Sequence, residues 1–176
     1  MSFVEPVTEF QANPALRQLY AKIREGFGFL PNYFLAMGRS PASIEGHLAM
    51  ADSIMADGAL SQKLKEQVGM VVSGLNTSSY CIAAHMELLR RMGVEKALSR
   101  KLATDYPNAP FGEKEQALFR FADKLTRKPA DVDRDDIETL KRAGWDEAAI
   151  FEAVLAISWL NFINRTSIGL GVVADF

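Results

Sequence analysis

An all-α domain is the fold class this chain predicts, on three observations. Apolar residues recur at steps of three and four along most of its length. Capping residues followed by proline, and glycines at the far ends, punctuate those stretches. No stretch alternates apolar with polar as a half-buried strand does. The 176 residues suit one domain over 1–176, and an apolar fraction of 48% with 24% charged residues is the composition of a globular chain rather than of a disordered or membrane-spanning one.

Each element has its own signal. The opening to about Ala12 has little periodicity, but Asn13-Pro14 sets a capping side chain before a proline at the first helical position. Leu16, Leu19, Tyr20 and Ile23 then give a helix one apolar side as far as about Gly26. Pro31 restrains the residue before it, so 28–32 is predicted as a loop and 33–37 as a short helical turn. Ser40-Pro41 repeats the cap-and-proline pair and opens a helix through Ile44, Leu48 and Met55, closed by Asp57-Gly58. Ser61 caps the next, which runs through Leu64, Val68, Val71 and Val72 towards Asn76.

A helix from about Thr77 or Ser78 to Arg91 follows, with Gly93 as its terminating glycine. Residues 94–103 form another and 106–110 a surface loop. The stretch 113–125 carries Leu118, Phe119, Ala122 and Leu125 on one side and is ended by Lys128-Pro129; 133–143 is stopped by Gly144. Asp146 caps the last helix, which is apolar nearly all the way round from Ile150 to Ile163 and is therefore expected inside the domain or in a subunit interface. Ser73-Gly74-Leu75-Asn76 has a four-residue echo in Ser158-Trp159-Leu160-Asn161, too short to establish a duplication.

Charge and composition narrow the function. A net charge of −2 and a pI near 5.7 leave no basic stripe, so nucleic acid is not expected as a partner. Arg90-Arg91 and Arg100-Lys101 read as solvated helix faces. The first residues lack the basic start and apolar run of a signal peptide, and no uninterrupted apolar run of roughly 18 residues exists, so no membrane partner is expected. A single cysteine cannot form an internal disulfide, which suits a reducing compartment; the expected location is cytoplasmic. There is no glycine-rich phosphate loop and no zinc-ligand spacing, so neither a cofactor nor a metal is expected.

The one cysteine stands in Ser78-Ser79-Tyr80-Cys81-Ile82-Ala83-Ala84-His85, with Glu66 on the segment upstream. If that run is helical, Ser78, Cys81 and His85 share a face, with Cβ atoms roughly 5 to 6 Å apart between neighbours. A thiol beside a base is a candidate nucleophile. In the first turn, unpaired N–H groups and the helix dipole favour an anion and are expected to lower the thiol's pKa. His85 could take the thiol proton, Glu66 could orient that imidazole, and Ser78 and Tyr80 could donate hydrogen bonds to a peroxide oxygen or a carboxylate.

Each residue also has a plainer explanation. A lone cysteine in an apolar helix is more often a small packing residue. A single histidine is more often structural, and Glu66, within Lys63-Leu64-Lys65-Glu66, could be a solvated carboxylate. His47 has no partner pattern and is assigned to surface or packing; Met50, Met55, Met70, Met86 and Met92 are assigned to core or interface filling, and Trp145 and Trp159 to packing.

Glu66, Val71-Val72-Ser73, Asn76, Tyr80-Cys81, Ala84-His85 and Gly93 together resemble the core motif of the AhpD-like superfamily, which includes alkyl hydroperoxidases and carboxymuconolactone decarboxylases. Phe29-Leu30-Pro31-Asn32, Ser40-Pro41, Asn164-Arg165 and Gly169-Leu170-Gly171-Val172 resemble its peroxidase-related branch, so the likeness spans most of the chain. The resemblance implies an AhpD-like helical domain that assembles as a dimer, trimer or hexamer. It also implies that Cys81 attacks peroxide while His85 and Glu66 relay protons. One position departs. The family's peroxidases carry a second, resolving cysteine where this chain has Ser78, and a hydroxyl cannot enter thiol–disulfide exchange. Turnover then needs an external thiol to resolve the sulfenic acid.

Three functions follow from these residues. The first is a peroxidase-related oxidoreductase in which the Cys81 thiolate reduces a small peroxide at the expense of an external thiol. The second is a decarboxylase-like lyase in which Glu66 and His85 move protons on a small organic acid. The third is a family member that has lost catalysis and is retained for assembly or binding.

Overall fold

The structure, a computed structural model, describes residues 2–175, and among them are nine α-helices, two short 3-10 turns and no strand. The helices are α1 (Pro14–Phe27), α2 (Asn32–Met37), α3 (Pro41–Met55), α4 (Gln62–Leu75), α5 (Ser79–Arg91), α6 (Lys96–Asp105), α7 (Glu113–Arg127), α8 (Arg134–Arg142) and α9 (Glu147–Leu170). The predicted caps act as such. Asn13, Ser40, Ser61 and Asp146 each accept a backbone N–H of the first turn through the side chain. Gly28 closes α1 in the left-handed conformation at φ 83°, where a side chain would be strained. The helix expected over 94–103 starts two residues later, because Gly93 and the bond from Val94 N–H to the Leu89 carbonyl hold the chain out of helical geometry up to Glu95. Residues 106–108, expected as loop, form a 3-10 turn.

The central helix is α4, which packs against α5, α6, α7 and α9. Every residue from Lys65 to Ser73 is buried, so α4, rather than α9, is the element enclosed on all sides. Helix α9 lays Ala149, Ala153, Ala156, Ile157 and Leu160 into the core but leaves Phe151, Leu155, Phe162 and Ile168 exposed. By length and composition α9 is apolar enough to cross a bilayer, yet half of its most apolar stretch is buried within the protein.

Two apolar clusters meet at α5 and α9. One is built on α4, α6, α7, α8 and α9 around Met70, Phe119 and Leu160. The other joins α1, α2, α3 and α5 around Tyr20, Phe34, Ile44 and Cys81. Each fully enclosed side chain of this size stabilises the fold by about 1.5–3 kcal/mol. The cysteine therefore belongs to the amino-terminal cluster, while the acid and base near it rest on the other.

Buried polar groups in α4 have partners. Lys65 reaches the Ala56 carbonyl at 2.7 Å and the Glu152 carboxylate at 2.9 Å, and Glu152 also accepts the N–H groups of Ala59 and Leu60. This ties the α3–α4 connection to α9 and fixes the start of α4. At its other end, Asn76 donates to Asn161 Oδ1 at 2.9 Å, so the two halves of the sequence echo touch.

Candidate active site

A tight turn delivers the cysteine helix. Thr77 takes a left-handed φ of 56°, its N–H bonds to the Gly74 carbonyl, and Ser78 N–H reaches back to Ser73. Helix α5 then begins at Ser79 and sets Cys81 in its first turn. Ser78 occupies the capping position without capping, because its hydroxyl is turned to Ser167 of α9 at 3.1 Å. The Cys81 Sγ atom meets the same Ser167 oxygen at 3.3 Å.

Proton accounting orients this cluster. Ser167 donates its one hydroxyl proton to the Asn164 carbonyl at 2.9 Å, so Ser78 O–H and Cys81 S–H both donate to Ser167 Oγ. The thiol is 1% exposed. Burial pushes its pKa up, with the Ser167 and Ser78 hydroxyls opposing. The lowered pKa expected from the helix terminus is thus corrected: desolvation of the thiolate outweighs the terminal N–H groups.

His85 and Glu66 are in direct contact. Nδ1 of His85 lies 2.6 Å from Glu66 Oε2, and both side chains are buried. A carboxylate accepts only, so Nδ1 carries the proton of this bond and Nε2 is the ring nitrogen on the side away from Glu66. The two residues come from adjacent helices. Glu66 stands one turn before Gly69 on α4, and the missing side chain at Gly69 leaves the imidazole space to lie flat on that helix. No hydrogen bond joins Cys81 to His85.

One cavity of about 260 Å³ is shared by Cys81, His85, Glu66 and Tyr80. Ser78 is 1% exposed and reaches the thiol through Ser167 rather than through the cavity lining. The remaining wall joins an aromatic side, from Tyr33, Phe34, His47 and Trp159, to an aliphatic one that includes Met55, Leu88 and Ile163, while Asp52 and Arg91 stand exposed at its edge. Tyr80 stacks on Tyr33 with ring centroids 5.9 Å apart. Among the described residues, no group of three His, Cys, Asp or Glu side chains is placed to hold a metal ion.

Three contributors escaped the sequence reasoning. Ser167 was readable in principle: Asn161, Asn164 and Ser167 form a polar stripe at three-residue steps along an otherwise apolar α9, and all three are buried. His47 lies buried in the cavity wall rather than on the surface, and Trp159 joins it there. Neither has a sequence signal, since both depend on how α3 and α9 cross.

Residues 41–124 match the carboxymuconolactone decarboxylase family model. No curated protein sequence matches the chain. Among solved structures, an uncharacterized peroxidase-related protein from Ralstonia eutropha, described as an alkylhydroperoxidase AhpD core, superposes with a TM-score of 0.88 at 24% identity, covering 97% of this chain and 90% of its own. A peroxidase-related protein from a Silicibacter species gives 0.87 at 23% identity, covering 97% and 92%. The debrominase Bmp8, in a cysteine-to-alanine form bound to 2,3,4-tribromopyrrole, gives 0.81 at 23% identity, covering 99% and 92%. The chain is an all-α protein with an AhpD-like fold. Its match to the carboxymuconolactone decarboxylase family model covers residues 41–124, a little under half of the chain.

Proposed function

We propose that the protein is a peroxidase-related thiol oxidoreductase in which Cys81 reduces a small peroxide and an external thiol restores it. The observation that carries this is the convergence, on one cavity, of a cysteine hydrogen-bonded to the Ser167 hydroxyl and a histidine held by a carboxylate. Burial keeps the resting thiol protonated. Its proton passes towards His85 Nε2 when a peroxide enters, and Glu66 stabilises the imidazolium that results. The thiolate sulfur then takes the outer peroxide oxygen, the O–O bond breaks, and the leaving alkoxide takes a proton as an alcohol. Cys81 is left as a sulfenic acid. With serine at 78, one external thiol condenses with it to a mixed disulfide and water, and a second releases the reduced protein as the external disulfide leaves. A dependence on external thiol suits a cytoplasmic setting.

A second function has its own support. The Glu66–His85 contact stands complete without the cysteine, as a decarboxylase-like lyase acting on a small carboxylate would need. The debrominase neighbour indicates that this fold hosts more than one chemistry.

Mass spectrometry separates the two. Mild peroxide is expected to add one oxygen atom to Cys81 in the folded protein, and glutathione then to convert it to a mixed disulfide. A cysteine that stays unmodified when folded but reacts once unfolded would overturn the thiol mechanism. Turnover of a muconolactone-type acid that survives Cys81→Ser and is lost in Glu66→Gln would establish the lyase instead.

A further inference from the structure

The thiol chemistry leaves a second polar element of the cavity unused. His47 extends from α3 into a box of rings drawn from separate helices. Its ring centroid lies 5.1 Å from Tyr33, 5.4 Å from Phe34 and 4.6 Å from Trp159. The Tyr33 hydroxyl stands 3.4 Å from His47 Nδ1. Burial keeps both groups neutral, pushing the tyrosine's pKa up and the histidine's down to about 4.

A phenol is the stronger proton donor of this pair and an imidazole nitrogen the stronger acceptor, so Tyr33 O–H donates to Nδ1 and the ring keeps its own proton on Nε2. Among the described residues Nε2 has no hydrogen-bond partner. A neutral N–H donor thus stands unused in the wall of an aromatic recess. The donor disfavours a cation, so the rings are not a cage for quaternary ammonium.

Size limits what fits. An apolar cavity of roughly 150 Å³ already holds benzene. The 260 Å³ here has room for one substituted ring. Aromatic side chains in turn favour aromatic ligands through offset and edge-to-face contacts.

We propose that this recess recognises a single aromatic ring bearing an oxygen acceptor, with the ring against Tyr33, Phe34 and Trp159 and the oxygen held by His47 Nε2–H. The assignment rests on the thiol chemistry in naming its substrate as an aryl-substituted peroxide. His47 is a substrate-binding residue and takes no part in the O–O cleavage.

The test uses the Cys81→Ser protein, which cannot turn over peroxide through sulfur, and two inert alcohols: 2-phenylpropan-2-ol and tert-butanol. Calorimetry is expected to show the phenyl alcohol binding at least about tenfold more tightly. His47→Phe in the same background keeps a ring and removes the donor, and is expected to cost about tenfold in affinity. His47→Gln, which retains a side-chain N–H, is expected to recover most of that loss, and matched circular dichroism spectra show that each variant is folded. Equal affinity for the two alcohols, or affinity unchanged by His47→Phe, would overturn the proposal. The two levels fail separately. Wild-type protein that reduces cumene and tert-butyl hydroperoxides with the same kcat/KM disproves the recess and leaves the thiol chemistry standing. Tight phenyl-alcohol binding with no oxidation of Cys81 does the reverse.

Discussion

A Cβ at Gly69 would sit 2.8 Å from Cε1 of His85 and 2.9 Å from both ring nitrogens, so the imidazole rests directly on the backbone of α4. Contacts that short are not tolerated by real side chains, and the wall behind the ring is helix backbone. Gly69→Ala is therefore expected to tilt His85 away from Glu66. The overpacking should destabilise the protein by about 1–3 kcal/mol, offset in part by the better helix propensity of alanine. The measurement is a paired one: thermal unfolding for stability, and the peroxide oxidation rate of Cys81 at a temperature where the variant is fully folded. A rate equal to wild type would show that the ring's placement on Gly69 is packing alone.

Ser167 controls the thiol through the hydrogen bond it shares with Cys81. The hydroxyl lowers a pKa that burial raises, so its removal leaves burial opposed by Ser78 alone. In Ser167→Ala the thiol is expected to titrate at higher pH. The rate of alkylation by iodoacetamide near pH 7 should then fall by about tenfold, the worth of one hydrogen bond to an ionised group. The midpoint of the alkylation rate against pH reads the shift directly. An unmoved midpoint would mean the Ser167 contact does not survive in the thiolate.

Acid should weaken this fold through His47. Its pKa falls from 6.5 to about 4 on folding because the ring is buried. The unfolded chain then binds a proton that the folded chain refuses between those values. The contribution to stability is fully present above pH 6.5 and is lost as pH falls through about 4, up to about 3 kcal/mol for this one group. His47→Phe removes the titration. The difference in unfolding free energy between wild type and variant is expected to change across that window and to be flat above pH 7. A difference that is constant from pH 4 to pH 8 would show that the buried ring charges freely.

Most of the helical order was legible because caps, prolines and terminal glycines are local signals; Asn13-Pro14, Ser40-Pro41 and Asp146 act where they stand. The pairing of Glu66 with His85 was approachable for the same reason, since both lie on neighbouring helices joined by a short turn. Relations that depend on distant packing were not. The choice of α4 over α9 as the enclosed helix could not be made from composition, because α9 is the more apolar of the two. Lys65 and Glu66 are polar yet buried, and their side-chain partners, Glu152 and His85, lie far along the chain or on another helix. His47, assigned to surface or packing, proves to be packing, and its neighbours were hidden on the same ground. A histidine with no neighbours in sequence acquires Tyr33, Phe34 and Trp159 only when α2, α3 and α9 come together.

Position 78 holds serine where the resemblance to the AhpD-like peroxidases implies a second cysteine, and the geometry around it predicts that a cysteine there would form a disulfide. Ser78 Oγ and Cys81 Sγ both lie within 3.3 Å of Ser167 Oγ, so the two side chains already converge on one point. Ser78→Cys therefore places a second sulfur close to Cys81 at the start of α5, where the terminal turn adjusts more easily than the helix interior. The S–S bond needs its own separation of about 2.05 Å and a dihedral near 90°. After stoichiometric peroxide, the variant is expected to lose two hydrogens by mass, to show no free thiol, and to recover both thiols with dithiothreitol. Its sulfenic acid should be short-lived, whereas the wild-type sulfenate should persist or over-oxidise unless glutathione is added. Persistence of the sulfenate in Ser78→Cys, with both cysteines present and no disulfide, would mean that Ser167 holds the sulfurs apart. The double change Ser78→Cys with Ser167→Ala would then close the bond.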